Sequence, residues 1–297
     1  MSIVESTLQR LKGARSAEPE KRPVPAPEPA EPAPAARVRT RIPTPVRWPV
    51  PLAPADFDVA GLRAVGLFPP ERFASRLRDD YRAIRREVVT AAGEKVGATG
   101  SAVGPIAVVT SAGPGEGKSY TALNLALSIA GQGVHDVLLI DADFIKRTIT
   151  MGCNLGDRAG LAELLANPAA SFFEYAYPTR TPRLRILPTG TRAHASHDLF
   201  APARVATLFD TIRTAMAEHI VIVDTPPILV SSDTPVVVDV AGQVLLVVRA
   251  GKTLQDSVRD AVGHIRKALP VGVILNYWSP LLPSEKKTYT SYDEYAQ

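Results

Sequence analysis

The segment AGPGEGKS (112–119) constrains the fold more than any other part of the sequence. It follows the apolar run 104–112, which is rich in β-branched residues, and precedes a long helical pattern. Its glycines Gly113, Gly115 and Gly117 permit tight turns in which successive backbone N–H groups can point inward at an anion. The positive end of the following helix strengthens that field. The pattern predicts a strand, a phosphate-binding loop and a helix in direct succession.

Apolar strands and amphipathic helices alternate along the chain from this loop onward. The predicted strands are 104–112, 135–143, 183–190, 220–227, 243–251 and 271–276, and the helices between them include 160–168, 199–219 and 254–269. Continuous apolar strands separated by helices are typical of a parallel sheet that is covered on both faces. We therefore predict an α/β fold of the P-loop NTPase class, with a mostly parallel central sheet. Ligands of such sheets bind beyond the carboxyl ends of the strands.

Acidic residues follow two of these predicted strands. Asp224 ends the run IVIVD, and Asp141 and Asp143 end the run VLLIDAD, two residues apart and so on the same side of the strand. In the loop, Lys118 can reach the β- and γ-phosphates of ATP, and the Ser119 hydroxyl can bind Mg²⁺. The sequence thus predicts a Mg·ATP site. Its predicted ATP-binding residues are Gly113, Gly115, Glu116, Gly117, Lys118, Ser119 and Tyr120, and its predicted metal ligands are Ser119, Asp141, Asp143 and Asp224.

The composition of the chain changes before this domain. Twelve of the 27 prolines lie between Pro19 and Pro54, mixed with Ala, Glu and Arg. Such a stretch forms neither helix nor sheet ladders, so we predict a disordered linker over 16–56. Before it, residues 1–15 carry the spacing of a short amphipathic helix. The predicted P-loop domain then covers 57–284.

Composition also excludes several classes of protein. The single cysteine, Cys153, rules out an internal disulfide and favours a reducing compartment. No apolar run is long enough to span a bilayer, and the N-terminus lacks the apolar core of a signal peptide. The net charge is +4, with basic residues spread along the chain, so charge gives no indication of a nucleic-acid partner.

The last segment, 285–297, contains three tyrosines among polar residues, in the sequence KKTYTSYDEYAQ. Tyr289, Tyr292 and Tyr295 have no apolar neighbours that could bury their rings. Since tyrosine is ordinarily used in cores and interfaces, the pattern predicts a flexible tail whose tyrosines act elsewhere, either as reactive groups or by packing on a partner.

The set AGPGEGKS, LLIDAD and IVIVDTPP, followed by a tyrosine-rich C-terminus, resembles the bacterial tyrosine kinase family over roughly residues 75 to 297. The segment LPTGTRAHASHDLF (187–200) adds to that resemblance. It implies an autophosphorylating enzyme of exopolysaccharide and capsule production, built on a P-loop ATPase fold. The opening MSIVESTLQRLK and its proline-rich linker are similar to stand-alone kinases that accompany exosortase-type loci. In those systems the membrane-spanning chain-length regulator is a separate protein.

The resemblance implies roles for the site residues. The tail of one subunit would enter the active site of its neighbour in a ring, with Tyr289, Tyr292 and Tyr295 as phosphate acceptors. ATP and Mg²⁺ would be the cofactors, and one of Asp141 and Asp143 would accept the phenolic proton. The implied partners are further copies of the chain, the membrane chain-length regulator and a cognate tyrosine phosphatase. The enzyme would be cytoplasmic, held at the inner face of the cytoplasmic membrane by its partner. The implied catalytic residues are Lys118, Asp141, Asp143 and Asp224.

A second similarity concerns assembly. Asp79, Arg82 and Arg85 recur every three residues within a predicted helix at 75–90, so they lie along one side of it. The family uses Glu, Arg and Arg at this spacing for contacts between subunits, which implies an oligomerisation helix here. The alternative is a solvated charged face, because exposed ion pairs contribute little.

Two positions near the site have open roles in the sequence. The family often has arginine two residues after its second acidic residue, where this chain has Ile145, and Lys146 or Arg147 could serve instead. Asn276, at the end of the last strand, could bind adenine or simply form a turn.

Two other functions fit the same loop. A partition- or positioning-type ATPase would hydrolyse ATP as a dimer switch and use the tail for docking. Such ATPases usually carry a second lysine near the position of Gly113, and this chain has none there. A non-catalytic protein that binds ATP and signals its occupancy is the third possibility, although no motif residue indicates lost activity.

Overall fold

A computed structural model of the chain describes residues 43–57, 59–71, 74–93, 95–96, 101–102, 104–191, 199–266 and 268–278. The predicted N-terminal helix 1–15 and the tyrosine-rich tail 285–297 lie outside these residues. Within them, no helix is long and apolar enough to cross a lipid bilayer.

Strands and helices alternate in the described part of the chain. The strands are β1 (Lys95–Val96), β2 (Ser101–Ala102), β3 (Ile106–Ser111), β4 (Val137–Asp141), β5 (Tyr177–Pro178), β6 (Leu184–Leu187), β7 (Ile220–Asp224), β8 (Gln243–Arg249) and β9 (Val271–Asn276). The α-helices are α1 (Val59–Ala64), α2 (Ala74–Gly93), α3 (Lys118–Ala130), α4 (Thr148–Gly152), α5 (Leu161–Ala166), α6 (Pro202–Ala215), α7 (Asp233–Asp239) and α8 (Gln255–Gly263). A 3₁₀ turn covers Phe172–Glu174.

Seven strands form one sheet in the order β5-β6-β4-β7-β3-β8-β9. All neighbours are parallel except β5 and β6, which are antiparallel. The predicted fold, a mostly parallel sheet with helices on both faces, is confirmed. Strand β3 is central and leads into the loop, and β7 and then β4 follow it on one side. The carboxyl ends of these three strands therefore meet at one edge of the sheet.

The core has two layers, one on each face of the sheet. Successive residues of β3 point to opposite layers, with Ile106 and Val108 in one and Ala107 and Val109 in the other. Helices α2 and α3 cover the second layer, and α5 to α8 cover the first. Full burial of an aliphatic side chain of this kind contributes about 1.5–3 kcal/mol. This two-sided burial explains why the strands read as continuous apolar runs.

Several elements differ from the sequence prediction. The helices predicted over 199–219 and 254–269 are shorter, because α6 ends at Ala215 and α8 ends at Gly263. Strand β5 and helix α7 were not predicted. Helix α7 contains Pro235, but in the first turn, where the missing N–H leaves no helical bond unmade.

The part of the predicted linker from 43 to 56 packs on the domain, which corrects the predicted boundary at residue 56. The backbone N–H of Val46 donates to Asp136 Oδ2 at 2.7 Å. The ring of Trp48 lies edge-on to Phe173, with centroids 5.3 Å apart, and under the Arg185 guanidinium, at 4.3 Å. A proline-rich segment can still pack in an extended form, since proline removes donors but not side-chain contacts.

A histidine that the sequence did not single out holds this segment. The ring of His219 is buried between the segment and the start of β4. Its Nδ1 accepts the backbone N–H of Asp136 at 3.1 Å, so Nε2 carries the proton and donates to the Thr44 carbonyl at 2.9 Å. Both contacts lie at the amino ends of β4 and β7, opposite the predicted site.

Candidate active site

The phosphate loop has the backbone shape that its glycines predict. It connects the end of β3 to α3, which begins at Lys118. Gly115 and Gly117 have φ values of +76° and +93°, in the left-handed region that favours glycine. A Cβ atom on Gly117 would also lie 2.0 Å from Asn276 Nδ2. Glycine is therefore required at residue 117 for both conformation and space.

Side chains from the ends of β8 and β9 hold the loop through Glu116. The Thr253 hydroxyl donates to Glu116 Oε1 at 2.5 Å, and Asn276 Nδ2 donates to the Glu116 carbonyl at 2.9 Å. Asn276 Oδ1 accepts the backbone N–H of Tyr277 at 2.9 Å. Both ends of the Asn276 amide are thus in use. The structure gives this residue a role in shaping the loop and a turn.

Lys118 begins α3 and is buried against the acidic residues. Its Nζ lies 2.9 Å from Asp143 Oδ2, and both side chains are almost fully buried. Burial acts to lower the pKa of Lys118, but the carboxylates of Asp224, Asp143 and Asp141 outweigh it and raise that pKa above its ordinary value. The lysine is therefore charged, and in this structure it forms an ion pair with Asp143.

Both carboxylate oxygens of Asp141 accept hydrogen bonds. Its Oδ2 accepts both the backbone N–H and the hydroxyl of Thr150, each at 2.8 Å, and its Oδ1 accepts the backbone N–H of Asp143 at 3.1 Å. Burial raises the pKa of Asp141 to about 6, although the bonds from Thr150 oppose the shift. These bonds make Asp141 a brace for the turn after β4.

Asp224 lies beside Asp141 in the register of β4 and β7, yet its environment is different. It is fully buried, and neither oxygen has a hydrogen bond of standard geometry to any described residue. Burial raises its pKa well above the ordinary range, while the Lys118 charge and the neighbouring Ser119 hydroxyl act to lower it. An unpartnered buried carboxylate is costly and indicates a missing ligand.

The predicted metal ligands meet in space, but they are not equally available. Among the described residues no group of three or more His, Cys, Asp or Glu side chains is arranged as a ready metal site. Asp141 is bonded to Thr150, and Asp143 to Lys118. The unpartnered oxygens of Asp224 and the adjacent Ser119 hydroxyl remain. This pair fits Mg²⁺, which takes one or two protein oxygens, substrate phosphates and several waters.

Arg147 does not take the place of the family's arginine at the site. Its backbone is left-handed, with φ of 51°, and its guanidinium donates to Thr189 Oγ1 at 2.9 Å and to the carbonyls of Gly156 and Gly190 at 3.0 and 2.9 Å. It clamps three loops together. Ile145 itself is 69% exposed at the mouth of the site.

The predicted oligomerisation residues lie on α2 as expected, but they are not alike. Asp79 and Arg82 are exposed and form an ion pair at 3.3 Å. Arg85 is half-buried and donates to the Ser128 carbonyl on α3 at 3.0 Å. Within one chain, then, Arg85 already packs against the phosphate-loop helix. The predicted acceptors Tyr289, Tyr292 and Tyr295 lie outside the described residues.

No family model matches the chain. It is 34% identical over 177 residues to EpsB of Ralstonia solanacearum, a tyrosine-protein kinase by name. This match covers 59% of the chain and 23% of EpsB, so the chain spans about a quarter of the length of that relative. It is 33% identical over 193 residues to the tyrosine-protein kinase YwqD of Bacillus subtilis, covering 64% of the chain and 79% of YwqD.

A solved structure agrees with these relatives. The kinase domain of the Escherichia coli tyrosine kinase ETK superposes with a TM-score of 0.57 at 27% identity, over 66% of this chain and 73% of that domain. Sequence and fold thus point to the same proteins, and YwqD is matched over most of its length. The chain belongs to the bacterial tyrosine kinase family.

Proposed function

We propose that the protein is a Mg·ATP-dependent tyrosine autokinase that phosphorylates its C-terminal tyrosines Tyr289, Tyr292 and Tyr295 in trans. The observation that carries the proposal is the buried charge cluster at the phosphate loop. It combines a charged lysine, two carboxylates held in place and one carboxylate without a partner. Phosphoryl transfer needs mainly positioned charges of this kind.

The residues divide the work as follows. The backbone N–H groups of the loop cradle the phosphates, and Lys118 turns from Asp143 to their charge. Ser119 and Asp224 would hold Mg²⁺, which when bound supplies neutralising charge beside the phosphates. Asp141 stays fixed by its three hydrogen bonds and braces the turn that carries Asp143.

These roles assign the general base for the tyrosine hydroxyl. Asp143 Oδ2 loses its partner when Lys118 turns away, whereas the oxygens of Asp141 stay occupied. A tyrosine hydroxyl has a pKa near 10 and needs a nearby base at neutral pH. Asp143 accepts the phenolic proton as the tyrosine oxygen bonds to the γ-phosphorus, and ADP leaves.

The wider role is part of the same proposal. By its resemblance to the family, the enzyme regulates exopolysaccharide or capsule chain synthesis and export. It works as a ring of identical subunits at the inner face of the cytoplasmic membrane, with a membrane chain-length regulator and a tyrosine phosphatase as partners. Each phosphorylation adds roughly −1.5 to −2 charges to the tail. A fully modified tail is repelled by the acidic site, which releases the ring.

Mass spectrometry of the C-terminal peptide tests the proposal after incubation of the full chain with Mg·ATP. We expect phosphate on the tail tyrosines of the wild type and none on Lys118→Met or on the triple Tyr→Phe variant. The assay is repeated with the cytoplasmic segment of a membrane partner. Steady ATP hydrolysis with an unmodified tail in both assays would refute the autokinase and favour the ATPase switch.

A further inference from the structure

Strand β9 lies at one edge of the seven-stranded sheet, and no described residue pairs with its outer side. Its six residues, VGVILN, include no charged residue and no proline. Proteins ordinarily protect such an edge with charges, proline, a bulge or a covering segment, because an apolar edge strand pairs readily with other chains. We therefore expect a further segment to cover β9.

The opposite edge of the same sheet shows how this chain covers a strand. Strand β5 forms that edge, and the backbone N–H of Ala55 donates to the carbonyl of Pro178 in β5 at 2.7 Å. Ala55 is buried there, and it belongs to the segment that precedes the first described helix. One edge is thus covered by a segment that the chain itself supplies.

Exposed aliphatic side chains mark one face of β9. Val271 packs against the first core layer and Ile274 against the second, so the odd-numbered side chains of β9 lie on the first-layer face. Val273 and Leu275 share that face, and they are 59% and 53% exposed. Full burial of an aliphatic side chain contributes about 1.5–3 kcal/mol. This face of β9 is therefore an apolar docking surface.

The backbone groups that point outward from β9 belong to the same odd-numbered residues. The carbonyls of Pro270 and Asn276 accept hydrogen bonds from β8 and from the residue that follows it. Because backbone groups alternate in direction along a strand, the even-numbered residues face β8 and the odd-numbered ones face outward. A strand added at this edge would bond to Val273 and Leu275, whose side chains form the docking surface.

We propose that residues 281–284 of the same chain, LLPS, pair with β9 as an antiparallel strand. These residues lie outside the described part of the chain and at the end of the predicted domain 57–284. The reversal begins in the described part, where Tyr277 has a φ of +58°, a left-handed conformation typical of turns. Only residues 277–280 separate this segment from β9, so its effective concentration at the edge is in the millimolar range.

Pro283 restricts the register of this pairing. Proline has no N–H, so in an edge strand it stands where the missing N–H would face solvent. Here that position is opposite an even-numbered residue of β9, since the odd-numbered residues make the bonds. Leu282 then lies opposite Leu275 or Val273, with its side chain on the same apolar face. The register that the proline permits is thus the one that buries Leu282.

The pairing closes the edge of the sheet to other copies of the chain and supports β9 itself. Asn276, the last residue of β9, donates to the Glu116 carbonyl in the phosphate loop, so the added strand steadies a support of that loop. The inference does not depend on phosphoryl transfer. It can therefore fail or hold independently of the proposed function.

Engineered disulfides test the pairing and its register in the full chain. Leu282→Cys is combined with Leu275→Cys or with Val273→Cys, and native Cys153 stays buried. Opposite residues of a bonded antiparallel pair have Cα atoms about 5.5 Å apart, within the range that a disulfide spans. We expect one of the two pairs to form an intrachain disulfide under mild oxidation, seen by mass spectrometry of the linked peptides. Leu281→Cys with the same partners is the matched control and stays reduced, because its side chain lies on the other face.

Hydrogen exchange gives a second measurement without a cross-link. The backbone N–H groups of Val273 and Leu275 should exchange at least about tenfold more slowly in the wild type than in Leu282→Asp, because the added strand shields them. Ser279→Asp is the control and should match the wild type, and unchanged exchange in β3 shows that the fold is intact. Disulfides between chains, or protection that grows with protein concentration, would assign the edge to a second copy and overturn the proposal. Equal cross-linking of both leucines, no cross-link, or exchange that ignores Leu282→Asp would overturn it as well.

Discussion

The ends of β4 and β7 carry aspartates side by side in the sheet, and the two differ in almost every other respect. Asp141 on β4 accepts three hydrogen bonds, whereas Asp224 on β7 accepts none of standard geometry from the described residues. Both are buried on a parallel sheet at matched register. The comparison shows that the turn after β4 satisfies the carboxylate at its strand end, whereas the carboxylate at the end of β7 has no such support from the described residues.

The largest effect is expected from Asp224→Asn, which removes the carboxylate that has no hydrogen-bond partner among the described residues. We expect phosphoryl transfer to fall at least about 100-fold, because the open carboxylate is the one that fits Mg²⁺ and metal charge contributes several kcal/mol to such reactions. The stabilisation of the fold by Mg·ATP should disappear as well. Transfer rates and the shift of Tm with Mg·ATP measure both effects. A variant that keeps its Mg·ATP shift would show that Asp224 is not the ligand.

The free energy of unfolding of the nucleotide-free chain should depend on pH through the buried carboxylates at the two strand ends, Asp141 and Asp224. The pKa of Asp141 is about 6 in the fold against 3.8 in the unfolded chain, and burial raises the pKa of Asp224 well above its ordinary range. The fold thus holds these protons more tightly, so the contribution of Asp141 to stability is lost as pH rises from about 4 to 6, and that of Asp224 is lost as pH rises through its own raised pKa. Asp141 accounts for up to about 3 kcal/mol of this loss, at roughly 1.4 kcal/mol per pKa unit.

Denaturant titrations of the nucleotide-free wild type and of Asp224→Asn, at pH 5 and pH 8, measure this effect. The variant should gain stability over the wild type, and the gain should be larger at pH 8, because the costly charge is removed. A difference between the two chains that does not change with pH would contradict the burial of an unsatisfied carboxylate.

A smaller effect is expected from Thr150→Val, which removes the brace at β4. It deletes the hydroxyl that donates to Asp141 Oδ2 and accepts the backbone N–H of Thr189 at 3.0 Å. Losing these buried bonds should lower the free energy of unfolding by about 2–3 kcal/mol. Thr207→Val is the control, since its exposed hydroxyl donates only to a carbonyl one turn earlier on α6. Equal stability of both variants would show that Asp141 needs no brace.

The sequence was enough to predict the sheet and the phosphate loop, because both depend on local patterns. Apolar runs mark β3, β4 and β7 whatever lies around them, and glycines at 115 and 117 are needed for the loop backbone itself. The meeting of Lys118 with the acidic residues follows from the rule that parallel strands present their carboxyl ends at one edge.

The features that the sequence did not predict depend on contacts between residues that are far apart in the chain. Strand β5 has only two residues, too few for any alternation to show. Proline content gave no sign that Val46 would bond to Asp136, 90 residues later. Likewise nothing in DAD or IVIVD distinguishes a satisfied aspartate from an open one. That difference comes from Thr150, which is buried by the turn after β4.

Residues that lie far along the chain support the phosphate loop. Glu116 is held by Thr253, 137 residues later, and by Asn276, 160 residues later. Contacts of such sequence separation close late in folding, and a growing chain exposes its N-terminal part first. The loop therefore leaves the ribosome without its supports and reaches its final form only when β8 and β9 have joined the sheet. The supported form of the phosphate loop is, for this chain, a property of the finished fold and a marker of its completion.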